Sequence, residues 1–328
     1  MHLNFDNATT CSTATTARIL ASGVRTFLIA SILTFAVLPL MSSPVPAMDG
    51  YDTERVNDAI RLCDTGHFPE AIRILTAVNQ RNPKDAFVLC QLGHAHMNNA
   101  ADLTHSTAIA EKCFRKAIEI DPQYGRAYKK LSEWYSAHGN WQMAVKMATQ
   151  SLTVKKPDLY ALVERAGAYS SLHKDKEALA DFELFMSKTP MPTDRRHRNK
   201  IYLQKAGLLE NLKQYEKALA VYRIMQKEHY EDSLVFREVA CLKALNRPAE
   251  ALKCLDQLIV HNKFDDTGYL NRARLYESMG KHQEALKDYS TSIDLSTSTT
   301  ALKERAAVYE KIGRKDLAEK DRKEADRM

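Results

Sequence analysis

A chain of 328 residues, 45% hydrophobic and 27% charged, with only 11 Gly and 10 Pro, has the composition of a folded protein and excludes disorder over most of its length. Its formal charge of +6 is a mild excess over a large surface, which speaks against nucleic acid or anionic lipid as the main partner. The length suits two ordinary domains or one extended array.

Residues 1–25 carry Arg18, Arg25 and a single acid, Asp6, and Phe27–Leu40 (FLIASILTFAVLPL) follows as an apolar run, with Val45-Pro46-Ala47 as a small-residue exit. That order of basic flank, apolar core and cleavage site predicts a secretory signal peptide over 1–47. The competing reading is an uncleaved membrane anchor, but a run of 14 residues containing Pro39 falls short of the roughly 20 that a spanning helix needs. The mature chain is expected to begin near Met48 and to work outside the cytoplasm, in the periplasm or secreted.

From residue 48 onward one hairpin recurs. Its best copy is Gly268–Leu295, where 3.6-residue periodicity predicts helices over 269–278 and 283–295 with a turn at Met279–His282. Ala273 and Ala285 stand where the two helices cross, and Tyr276 and Tyr289 are bulky enough to fill the space toward neighbouring hairpins. Matching alanines occur at Ala71, Ala110, Ala144, Ala178, Ala218, Ala251, Ala285 and Ala318, at spacings of 39, 34, 34, 40, 33, 34 and 33. That is a period of 34 with two insertions, around Asn98–His105 and Met191–Arg198, and it marks a repeat solenoid. Twelve residues before each anchor the crossing position reads Ala59, Gly93 (after the five-residue insertion), Ser132, Ala166, Ala206, Val239, Ala273 and Ala306.

Leu92-Gly93, Ala110, Phe114, Ala117 and Pro122 in the second unit, Tyr135, Gly139 and Ala144 in the third and the RAGAY run Arg165–Tyr169 in the fourth resemble the tetratricopeptide repeat family. The pattern departs from the family at Lys213 and Asn246, which replace the turn glycine, and at Tyr230 and Lys263, which stand where a closing proline is usual. The resemblance implies an all-α, α-α superhelical solenoid of about eight helix-turn-helix repeats, near 52–85, 86–124, 125–158, 159–192, 199–231, 232–265, 266–298 and 299–328. The last helix, with Arg322 in place of a core aromatic, is expected to cap the array.

Catalytic motifs are missing from the sequence: it has no phosphate-binding glycine loop, no dinucleotide fingerprint, no H-E-x-x-H and no G-x-S-x-G. The expectation is a non-enzymatic protein with no cofactor and no metal. His94, His96 and His105 lie close in sequence, but residues two apart on a helix point about 200° apart, which favours packing or surface roles. Of the five cysteines after residue 47, Cys63, Cys90, Cys113, Cys241 and Cys254, the best-placed pair is Cys241 with Cys254, yet buried free thiols are the favoured reading. The run Asp194–Lys200, DRRHRNK, reads as charge on a solvated loop.

The resemblance also implies that the first helix of each unit lines an inner surface. Residues three or four apart share a helix face, so the inward stripe takes in Arg126, Lys129 and Glu133, then Tyr160, Val163 and Gly167, then Lys200, Leu203 and Gly207, with Phe236 and Ala240, and Leu270 and Arg274, after them. The expected contact set for a partner is Arg126, Lys129, Tyr160, Val163, Lys200, Leu203, Phe236, Leu270 and Arg274. For the apolar members the alternative is packing between adjacent first helices. The chaperone-tail clamp of the family needs Lys and Asn where this chain has Val163, Gly167, Leu203 and Gly207, so that ligand is not expected. The function read from the sequence is a scaffold that binds protein or peptide segments and mediates complex assembly, with no nucleic acid. The alternative is an accessory or regulatory subunit of an envelope enzyme or export machine, held at the membrane by an uncleaved N-terminus. The sequence leaves the oligomeric state open.

Overall fold

The computed structural model describes residues 48–99 and 103–328. The expected signal segment lies outside the described residues. Sixteen α-helices follow one another among the described residues as eight hairpins. They are α1 Gly50–Asp64 and α2 Phe68–Arg81; α3 Ala86–Met97 and α4 Leu103–Ile120; α5 Gly125–Ala137 and α6 Trp141–Thr153; and α7 Ala161–Ser171 and α8 Asp175–Lys188. The second half continues with α9 Arg195–Asn211 and α10 Tyr215–Glu228; α11 Asp232–Ala244 and α12 Pro248–His261; α13 Asp266–Ser278 and α14 His282–Leu295; and α15 Thr299–Lys311 and α16 Lys315–Asp326. No helix among the described residues is long and apolar enough to cross a membrane.

Capping chemistry sets the starts. The side chains of Asp49, Asp85, Asn140, Asp194, Asp265 and Ser298 each accept a backbone N–H in the first turn that follows, satisfying a donor that has no partner within the helix. Asp265 is why α13 begins three residues earlier than periodicity alone predicts. Asp194 does the same for α9, so Arg195–Lys200 are helical and the loop reading of that basic run is corrected.

Small residues let each pair of helices approach. All eight anchor alanines are buried, as are Ala59, Ser132, Ala166, Ala206, Ala273 and Ala306 at the crossing position. At Gly93 a Cβ would lie 2.6 Å from the Phe114 ring, so the aromatic of α4 occupies the room that a side chain on α3 would need. Ser132 keeps its place by donating to the carbonyl of Ala144 at 2.8 Å. The hairpin turns require a left-handed residue: Gly66, Gly139, Gly280 and Gly313 have φ of 71–83°, and His173, Lys213 and Asn246 hold the same position at 55–57°.

A polar device recurs across the units. Arg165, Arg272 and Arg305, each one residue before a crossing alanine, make paired hydrogen bonds at 2.7–2.8 Å to Asp181, Asp288 and Asp321 on the second helix of their own hairpin. Each also reaches back to the previous hairpin, to Thr149, Asp256 and Ser290 respectively. The guanidinium therefore bridges two successive second helices. The first helices α1, α3, α5 and α7 pack directly on their successors, as far as α9, which puts them in the closer, inner row. At the C-terminal end Arg322 pairs with Glu310 at 2.6 Å on a half-exposed surface.

Candidate functional site

The inner row opens between α3, α5, α7 and the start of α9 into a groove of about 1050 Å³. Four residues of the expected contact set line it: Arg126 and Lys129 from α5, Tyr160 just before α7 and Lys200 from α9. Gly125, which starts α5, fixes the position of this helix. Its N–H donates to the carbonyl of Lys156 at 3.1 Å, and the contact is so close that a Cβ would sit 2.5 Å from that oxygen.

The floor is a charge network. Glu133 accepts from Lys129 at 2.8 Å and from Lys130 at 2.7 Å, and Lys129 also lies 4.0 Å from Asp158. Burial pushes the Glu133 carboxyl upward, but the two lysines outweigh it and hold the group below the usual carboxylate range. Glu164, on the facing helix, is raised by burial and then by the charge of Glu133. His94 at the groove wall is pushed down to about 4, first by burial and then by Lys130, so it is neutral at physiological pH. Arg126 and Lys200 are exposed and have no ion pair among the described residues. Tyr160 is 43% exposed, its ring centroid 5.1 Å from that of buried Phe185. The groove thus offers two unpaired cations and an aromatic face above a neutralised floor.

The remaining expected residues fall elsewhere. Leu203, 44% exposed, lines a neighbouring hollow of about 380 Å³ with Gly167, Gly207 and Arg237. Val163, Phe236 and Leu270 are half-buried, each packed against a different hydrophobic cluster. Arg274 is engaged by Glu304 through two hydrogen bonds, at 2.7 and 2.8 Å. The sequence reading missed Lys130, Glu164 and Asp158 in the groove, one wall of which is formed by the second insertion, around Met191–His197. The aspartate that caps α9 was the available signal for that wall. No group of three or more metal-ligating side chains occurs among the described residues. The five cysteines there are free thiols.

Fold and groove together define an all-α solenoid of stacked helical hairpins with an inner, partner-sized surface. Residues 107–124 and 267–299 match the tetratricopeptide repeat family model. No curated protein matches the chain. Among solved structures it is similar to pilF of Pseudomonas aeruginosa, at 13% identity and a TM-score of 0.52 over 65% of this chain and 92% of that one. A tetratricopeptide repeat protein from Parabacteroides merdae aligns at 14% identity and a TM-score of 0.46, over 84% of this chain and 98% of that one. A thermophilic tetratricopeptide repeat protein of Thermus thermophilus aligns at 18% identity and 0.46, over 58% and 98%. The first of these shares the fold.

Proposed function

We propose that this chain is a non-enzymatic scaffold of the tetratricopeptide repeat type, acting outside the cytoplasm, which holds a segment of another protein along its inner row of first helices. The observation that carries the reading is the 1050 Å³ groove, where Arg126 and Lys200 stand unpaired beside exposed Tyr160. A channel lined by successive helices and carrying a few oriented polar groups suits an extended or helical peptide, with the cations fixing register on acidic groups.

The test is crosslinking in the native host followed by recovery of the bound partner with the unsubstituted chain and with R126E and K200E. Loss of the partner in both variants, with the helical circular dichroism retained, supports the reading; undiminished recovery overturns it. L203D separates the neighbouring hollow from the groove. The N-terminal sequence of the mature protein tests location: a start near Met48 fits the exported form, and an intact N-terminus favours the membrane-held accessory subunit, which the apolar run Phe27–Leu40 motivates.

A further inference from the structure

Unit six lacks the polar device of units four, seven and eight, and a pocket lies at the corresponding place. Where units four, seven and eight have arginine on the first helix, unit six has Glu238; where they have aspartate on the second helix, it has Cys254. The position on the preceding second helix that carries Thr149, Asp256 or Ser290 in those units carries Arg223 here. The charges are thus reversed, and the reversal is incomplete. The Glu238 side chain is 9% exposed, and its ion pair with Arg223 is long, at 3.7 Å, and shared with Glu250, which lies closer to the guanidinium at 3.4 Å. Beside the carboxylate is a hollow of about 140 Å³, lined by Gln226, Tyr230, Val235, Glu238, Cys254 and Gln257. In units four, seven and eight a guanidinium fills the corresponding place between successive second helices.

This hollow adjoins an apolar concavity of about 610 Å³ that shares Tyr230 and Gln257 with it and continues over Val260 and His261. Val260 is 82% exposed, and the Tyr230 ring stands edge-on to His261 with centroids 4.4 Å apart. A buried carboxylate whose ion pair is long and shared, next to an exposed apolar shelf, has a definite complement.

We propose that this outer pocket is a second binding site, which takes the guanidinium or ammonium of an arginine or lysine from a partner protein while an adjacent apolar residue of the same segment rests on Tyr230 and Val260. It lies between α10, α11 and α12, shares no lining residue with the inner groove, and does not depend on what the groove binds. The raised Glu238 carboxyl, displaced mainly by burial, agrees with a site that gains when a cation arrives.

Cys254 lines the pocket and serves as the reporter. The full chain is equilibrated under mildly reducing, mildly alkaline conditions with cystamine or with hydroxyethyl disulfide. Thiolate exchange places the cysteamine or the mercaptoethanol half on the cysteine sulfur and releases the other half as thiol, and each cysteine is then read by peptide mass. Cysteamine capture at Cys254 is expected to exceed mercaptoethanol capture by roughly tenfold, the worth of one charge-assisted hydrogen bond. Cys63 supplies the internal reference. Glu238→Gln keeps the side-chain shape and is expected to remove the preference at Cys254 alone. N-acetylarginine amide should compete with cysteamine on the unsubstituted chain where the isosteric N-acetylcitrulline amide does not. Equal capture of the two halves, or a preference that survives in E238Q, overturns the site.

Discussion

Units six and seven lie side by side with the same two helices and nearly the same lengths, and they solve the same packing problem with opposite chemistry. Unit seven has Ala273 at the crossing, Gly280 in the turn and Arg272 bridging Asp288 and Asp256. Unit six has Val239, Asn246 and a reversed pair whose members are 3.7 Å apart. Backbone register is therefore held by the small and apolar positions, which both units satisfy. The polar positions are free to diverge, and in unit six a pocket lies where they do.

Removing the bridge is the most forceful way to break this comparison. Arg272→Ala leaves Asp288, 5% exposed at the side chain, buried without a cation, and a loss of about 3–5 kcal/mol is expected. Because stability in a repeat array is a sum of local and neighbour terms, the loss should appear in hydrogen exchange of α13 and α14 before that of α5 and α6. Ala273→Val puts into unit seven the residue that unit six carries. The fully buried site has no room for it, and urea unfolding should register a cost of about 1–3 kcal/mol. The turns give a smaller and opposite-signed pair. Asn246→Gly relieves a left-handed non-glycine residue and should stabilise by about 0.5–1 kcal/mol, whereas Gly280→Ala should lose about 1 kcal/mol.

The smallest effect sharpens the comparison through pH. The Glu238 carboxyl is raised, so the folded state binds its proton more tightly than the unfolded chain does, and this contribution to stability is full below the unfolded carboxylate value and lost as pH rises through the folded one. Glu238→Gln should flatten that fall, leaving the variant more stable than the parent at neutral pH and no more stable in acid. Glu277 of unit seven is lowered, with burial outweighed by Lys311 and Tyr289, and has the opposite sign: its contribution is present above the unfolded value and lost as pH falls. Urea midpoints across the acid range distinguish the two.

The repeat was legible because small residues at helix contacts are dictated by backbone distance. Eight alanines and their partners twelve residues earlier set the register without reference to side-chain chemistry. That register placed Arg126, Lys129, Tyr160 and Lys200 on one surface, and the groove contains all four. The network beneath them was not legible. Glu164 faces Glu133 from the next unit, and such a meeting has no period along the chain, whereas Lys130 pairs with Glu133 three residues on within α5. Of the apolar positions that were periodic in sequence, Val163, Phe236 and Leu270 are half-buried while Leu203 is exposed, since a position that faces inward on one helix can also touch a neighbouring helix. The Arg–Asp bridges, sixteen residues apart in units four, seven and eight, were open to the same register and are the clearest signal that sequence reading passed over.

The contact between Gly125 and the carbonyl of Lys156 joins the entrance of unit three to its own exit, so that α5 and α6 stand within a loop closed by a hydrogen bond. Arg126, Lys129, Lys130 and Glu133 are all mounted on that closed segment. Under the proposed function, a surface held in this way has little freedom left to lose, and the ordering cost of recognition would fall mainly on the arriving chain. A flexible ligand of low intrinsic structure can then be held by few contacts, and released as readily.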